Sequence, residues 1–212
     1  MRGRWMQAAA WLLLSAAGAA QTPPASSAPP GPLERPVLLI IDVQNFYFEG
    51  GTLPLAGSVK ASLQAKTLLE SFRAKNLPVI HVAHMPKEKP AAPDPLYSFH
   101  PNVAPRPGEA VVIKHYADAF RETDLLDRLR ALRAETLVIC GMQTHMCVEA
   151  AVRHAADTGF RVVLAEDACA TRDLKYKRTT VPAASVQAAV LAALNGTYAK
   201  IAAAAEIAAA LK

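Results

Sequence analysis

Cysteine is scarce in this chain of 212 residues, with three in all, and aromatic residues make up only 6%. An odd, small cysteine count excludes a fold stapled by several disulfides. Long hydrophobic runs are missing too. The early apolar stretch from Ala8 to Ala17 falls well short of the roughly 20 residues that span a bilayer. No internal repeat is visible, which excludes a solenoid. Charge of one sign is also weak: the formal net charge is +5, and +3 without Arg2 and Arg4. So small and scattered an excess gives no footprint for nucleic acid. What remains is enough apolar sequence, 52% of residues, to bury one substantial core in one domain.

The first 20 residues carry Arg2 and Arg4, then the Ala8–Ala17 run, then Ala17-Gly18-Ala19-Ala20-Gln21. This is the charged, apolar and small-residue order of a secretory leader. Cleavage after Ala19 or Ala20 is expected, giving an exported, periplasmic or secreted protein with no stable membrane insertion once the leader is gone. Residues 21–35 are rich in Pro, Ser and Ala with little to bury and read as a disordered, PPII-like tether. The folded domain is expected over residues 36–212.

From Pro36 the chain alternates short apolar runs with helical periodicity. Pro36-Val-Leu-Leu-Ile-Ile-Asp42 is a continuous apolar run ending in an acid, as in a strand buried on both faces of a parallel sheet. Residues 58–74 place Ala65, Leu68, Leu69 and Phe72 on one helical face, and Pro78 to His84 is a second strand. A proline-rich excursion runs from Met85 to Gly108, long enough to suggest function. Strand three is Ala110 to Lys114, followed by a helix bearing Leu125, Leu126, Leu129 and Leu132, with Thr123 as its cap. Strand four covers Thr136–Gly141, a helix Cys147–Thr158, and strand five Arg161–Asp167. Pro182 opens a helix with Val186, Ala189, Val190 and Ala193. Tyr198–Ala202 gives a sixth strand, and a last helix starts near Ala205. This alternation predicts a three-layer α/β/α fold, a doubly wound parallel sheet of about six strands in the order 3-2-1-4-5-6.

Ligands of such sheets bind at the carboxyl ends of the strands, where the strand order reverses. Asp42 ends strand one, Lys114 ends strand three and Cys147 follows strand four. In the predicted order Asp42 and Cys147 face each other across the switch point, while Lys114 reaches in from two strands away. Cys147 opens a segment with Val148, Ala151, Val152, Ala155 and Ala156 at helical spacing, so it sits in a helix's first turn, where the dipole and free N–H groups favour a thiolate. Taken singly, each residue has an ordinary explanation: a buried small cysteine, a capping acid, a solvated lysine. Their coincidence at one edge is the stronger argument. A carboxylate can take the thiol proton, and an ammonium can hold the thiolate's charge. Cys140 and Cys169 read as core residues, and spacing alone does not establish a bridge between them.

Four segments carry a family resemblance: Leu-Ile-Ile-Asp42-Val-Gln44-Asn45-Phe46; Val-Ile-Lys114 with Ala119-Phe120; Gly141-x-x-Thr144-x-x-Cys147-Val148; and Asp167-Ala168. From Pro36 onward the chain resembles the isochorismatase-like cysteine hydrolases, which include nicotinamidases and N-carbamoyl amide hydrolases. The resemblance implies a catalytic triad of Asp42, Lys114 and Cys147. It also implies a cis peptide between Met142 and Gln143 that turns the backbone N–H groups of Gln143 and Cys147 toward a substrate oxygen. Gln44 is implied as a support residue, and Phe46, Tyr116, Phe120 and His145 as pocket walls for a small-molecule substrate.

Nicotinamidases of this family carry an Asp-x-His metal site after strand two, which this chain lacks. His81 and His84, three apart on a strand, point to opposite faces. No metal or cofactor is therefore expected, and nicotinamide is disfavoured as substrate. The expected activity is hydrolysis of a small amide, ureide or carbamoyl C–N bond through a thioester, by a homo-oligomer. The alternatives are vinyl ether cleavage of the isochorismatase type, using Asp and Lys alone, and a secreted small-molecule binding protein on the same scaffold.

Overall fold

All six side chains of β1 (Pro36–Ile41) are buried, and from Val37 to Ile41 they alternate between two cores, as a strand covered on both faces must. The computed structural model describes residues 30–88 and 94–212. The expected leader and the tether through residue 29 lie outside the described residues. Leu33 is already buried in the core, so packed chain begins before Pro36.

The elements follow as α1 (Ser58–Ala74), β2 (Val79–His84), β3 (Ala110–Lys114), α2 (Leu125–Ala131), β4 (Thr136–Met142), α3 (Glu149–Asp157) and β5 (Arg161–Ala170), and then a hairpin of β6 (Leu174–Tyr176) and β7 (Thr179–Val181). After it come α4 (Ala183–Leu194), β8 (Lys200–Ala202) and α5 (Ala204–Ala210). The six-stranded sheet runs β3-β2-β1-β4-β5-β8 with every pairing parallel. This is the expected doubly wound order, with β8 as the sixth strand. On one face, Leu38, Ile40, Val138 and Cys140 pack against α1 and α5 through Ala65, Leu68, Leu69, Phe72 and Ile207. On the other, Leu39, Ile41, Leu137 and Ile139 meet Leu125, Leu129, Val148, Ala151 and Val152. Three layers result.

Some expected boundaries shift. The helix expected from Cys147 begins earlier, as a π-turn over Thr144–Val148 that leads into α3. Strand five runs on to Ala170, with a register break against β4 between Ile139 and Gly141. Leu132 lies past the end of α2 and is exposed, because the chain turns there before its side chain can reach the sheet. Cys140 and Cys169 remain free thiols in the cores of opposite faces.

The proline-rich excursion is tied down rather than free at its described ends. Asn45 N–H donates to the Ser98 carbonyl at 3.0 Å, and His100 N–H to that of Val43 at 2.9 Å. Where the excursion meets β3, Glu109 accepts from Arg73 of α1 at 2.7 and 2.8 Å and from the Arg106 backbone N–H at 2.8 Å. It lies 2.9 Å from Nε2 of His81. Burial holds His81 below the usual histidine range and so neutral, and its Nε2–H serves as a donor to Glu109. These donors, Arg73 foremost, pull the Glu109 carboxyl down from 4.5 to about 2. A depressed carboxyl contributes stability that is complete above its unfolded pKa and is lost as pH falls through the folded one. Glu109→Gln should therefore lower stability at neutral pH by roughly 1.5–3 kcal/mol. The gap from the parent should narrow as pH is lowered from about 4.5 toward about 2. Thermal unfolding across that range checks this, and a gap that does not change with pH would contradict it.

Candidate active site

β1 stops at Ile41, and the next residue, Asp42, turns into the left-handed region at φ 49°, a conformation aspartate tolerates better than most residues. Its N–H still donates to the Val82 carbonyl at 2.9 Å, and its carbonyl accepts from Gln44 N–H at 2.9 Å. The side chain is thus fixed at the carboxyl edge of the sheet. Across the switch point, Gly141 pairs with Ile41 at φ 131°. A Cβ at position 141 would run into the Ile41 carbonyl oxygen, so only glycine lets β4 pass this close to β1 just before the Met142–Gln143 bond, which is cis.

Lys114, the last residue of β3, places Nζ 2.7 Å from Oδ2 of Asp42, and both side chains are fully buried. Nζ also donates to the Tyr116 carbonyl at 3.1 Å and lies 3.3 Å from Nδ1 of His84. Cys147, in the π-turn, is 5% exposed, and its thiol lies close enough to Asp42 and Lys114 for both charges to bear on its titration. The three residues singled out from strand ends therefore meet.

Their electrostatics differ from what a helix start alone suggests. Burial, with Asp42 beside it, pushes the Cys147 thiol up to about 12, and Lys114 only partly offsets this. The resting sulfur is protonated at neutral pH, contrary to the expected thiolate, because loss of solvation outweighs the helix start and the ammonium. The Asp42 carboxyl is raised as well, first by burial, with Lys114 opposing. A carboxylate made more basic in this way is a better proton acceptor for a thiol.

Around this centre, Gln143 is buried, with its side chain held at both ends. Nε of Arg172 donates to its Oε1 at 3.0 Å, and its Nε2 donates to the Tyr47 hydroxyl at 3.3 Å. Gln44 is a brace. Its Oε1 accepts from His84 N–H at 2.8 Å and its Nε2 donates to the carbonyls of His84 and Tyr97 at 3.1 and 2.6 Å, locking the excursion to the end of β2. Phe46 packs on Tyr47 and Tyr97 at ring distances of 4.1 and 5.5 Å. Tyr116 lends its carbonyl to Lys114 and its ring to Arg121 and Lys87 at 3.7 and 4.6 Å. Phe120 stacks on His154 at 4.3 Å, and His145 Nδ1 lies 2.6 Å from the Thr171 hydroxyl. Asp167 accepts from Ala204 N–H at 2.8 Å at the start of α5, away from the chemistry.

Sequence reasoning missed three neighbours of this centre: His84, Tyr47 and Arg172. His84 enters the sequence reading only as a chelator with His81, although its place at the carboxyl end of β2 is the signal for it. Tyr47 sits beside Phe46, and Arg172 lies just beyond β5. Among the described residues no group of three His, Cys, Asp or Glu side chains is placed to hold a metal ion. Clefts of about 760 and 520 Å³ open at the opposite, amino edge of the sheet, and neither is lined by Asp42, Lys114 or Cys147.

Comparison with known proteins bears on this geometry. Residues 36–195 match the Isochorismatase domain family. The chain is 40% identical over 173 residues to YddQ, an isochorismatase family protein of Bacillus subtilis, covering 77% of this chain and 93% of that one. It is 32% identical over 156 residues to a maleamate amidohydrolase of Pseudomonas putida, covering 65% and 73% of the two chains. Among solved structures, an isochorismatase from Pseudomonas putida KT2440 superposes with a TM-score of 0.77 at 35% identity, over 84% of this chain and 93% of that one.

Proposed function

The chain belongs to the isochorismatase family of hydrolases, and from that premise we propose that it hydrolyses a small amide, ureide or carbamoyl C–N bond through a thioester on Cys147. The observation that carries the proposal is the meeting of a carboxylate, an ammonium and a thiol at the sheet's switch point, beside the turn at Gln143. The likeness to a maleamate amidohydrolase supports amide chemistry.

In this reading the thiol proton passes to Asp42 as the sulfur attacks the carbonyl carbon, so charge moves from sulfur to the carbonyl oxygen without a standing thiolate. Lys114 holds the negative charge while the proton is in transit. The N–H groups of Gln143 and Cys147 receive the oxyanion, each such donor contributing about 2.7–4 kcal/mol to the transition state. The C–N bond breaks as Asp42 returns its proton to the leaving nitrogen. Water then gives a proton to Asp42 and attacks the thioester. When the C–S bond breaks, the sulfur regains that proton and the acid leaves. Arg172 and Tyr47 act by fixing Gln143, and no step uses a metal.

Cys147→Ala should abolish release of ammonia or amine from a panel of small amides and ureides while leaving ligand binding measurable. Asp42→Asn, which loses both proton transfers, should cost roughly 10²- to 10⁴-fold or more. Full hydrolysis by Cys147→Ala would remove the nucleophile assignment. Turnover that survived that change and died with Asp42→Asn would point to vinyl ether cleavage, and no turnover by the intact protein on either substrate type to a binding protein.

We also propose that the protein is exported and assembles as a homo-oligomer. Export rests on Arg2, Arg4 and the following Ala8–Ala17 run, and among the described residues no helix is long and apolar enough to cross a membrane. The N-terminal residue of protein from its native source should be Ala20 or Gln21. A native chain that starts at Met1 would contradict export.

A further inference from the structure

The Lys114 ammonium pairs with Oδ2 of Asp42 at 2.7 Å, donates to the Tyr116 carbonyl at 3.1 Å and lies 3.3 Å from Nδ1 of His84. An ammonium only donates. The contact with His84 is therefore a hydrogen bond only if Nδ1 carries a lone pair, which places the ring hydrogen on Nε2. We infer that His84 is a positioning residue: as the neutral Nε2–H tautomer it accepts from Lys114 and aims the ammonium at Asp42 and Cys147, and its protonation switches the site off.

Without that acceptor, a buried ammonium loses a hydrogen-bond partner and is free to swing toward another, which is costly in a site that excludes water. With His84 protonated, two donors face each other at the same point and Lys114 is driven from its place. The charged and titratable groups that face His84 among the described residues are Lys114 on β3, Asp42 at the end of β1 and His115 beyond β3. Burial and then Lys114 hold its pKa below the usual histidine range, with Asp42 and the Tyr116 carbonyl opposing, so the ring is neutral at neutral pH, and it is the contact with Nζ that selects the Nε2–H tautomer. The local scaffold does not need the imidazole. Gln44 bonds only the backbone N–H and carbonyl of His84, so exchanging the side chain leaves that brace intact.

The kinetic half of the test rests on the hydrolase reading; the other two measurements do not. Heteronuclear NMR of the full chain should show the His84 ring with Nδ1 unprotonated near neutral pH, and Lys114→Met should raise its pKa. His84→Leu should slow alkylation of Cys147 by iodoacetamide at neutral pH, read against Cys147→Ala as blank. It should lower kcat by roughly 10- to 100-fold, the range for losing a hydrogen bond to a charged group. KM should stay within about twofold, since the ring acts through Lys114. His84→Asn, whose Oδ1 can occupy the Nδ1 position, should recover most of both losses. In wild type kcat should fall as pH drops through the His84 pKa. Asp42 adds an acid limb of its own in both proteins, so His84→Asn should retain only that limb.

An Nδ1–H tautomer or an imidazolium at neutral pH would overturn the inference, as would His84→Leu with wild-type alkylation and turnover. If the wild-type protein hydrolyses none of the amides, the hydrolase reading has failed, and the tautomer and alkylation rates still decide the role of His84.

Discussion

A carboxylate and an ammonium 2.7 Å apart with no exposed surface on either side chain are the constraint on which the rest of this molecule turns. Removing two such charges from water costs several kcal/mol per ion, and their attraction repays this only with good geometry and matched hydrogen bonds. The pair adds little to the fold on these terms and needs the fold to hold it. Asp42 is aimed by the left-handed turn at the end of β1, and Lys114 by its place as the last residue of a strand two positions away. Only the order β3-β2-β1-β4 brings them to one point. His84, at the end of the intervening β2, fills the third position around the ammonium.

The same burial sets the chemistry. A thiol beside a carboxylate, nearly out of solvent, is held protonated, so the resting site carries one ion pair and a neutral thiol. In the proposed reaction such a centre moves a proton only when an electrophile arrives to take up the charge. A free thiolate is open to oxidation, and burial of Cys147 keeps its sulfur in the less reactive protonated form.

Much of this could be read from residues alone. The run from Pro36 is a buried strand because nothing but a two-faced sheet hides so many apolar side chains in sequence, while the run from Ala110 forms the sheet's edge with Val111 and Ile113 exposed, and the first helix falls where Leu68, Leu69 and Phe72 recur. The three strand ends named as reactive do converge. What escaped depends on what surrounds a residue. Leu132 and Ala189 follow the apolar period yet are exposed, because a helix end and a helix's angle of approach decide burial there. The hairpin at Leu174–Val181 is only three residues long on each side and mostly exposed, too short for the alternation of Leu174, Lys175 and Tyr176 to announce it. The protonation of Cys147 and the acceptor role inferred for His84 follow from depth and from neighbours brought by other strands, which spacing along one strand does not report.

The central claim is that Cys147 carries the acyl group in mid-reaction, and trapping that species tests it most directly. Rapid acid quench of the full-length protein turning over a small amide, followed by intact-mass and peptide mapping, should show one acyl equivalent on the peptide containing Cys147. The adduct should vanish in Cys147→Ala and be released as the acid when the quench is delayed. Steady turnover with no adduct at any quench time, or an adduct on another residue, would contradict the account.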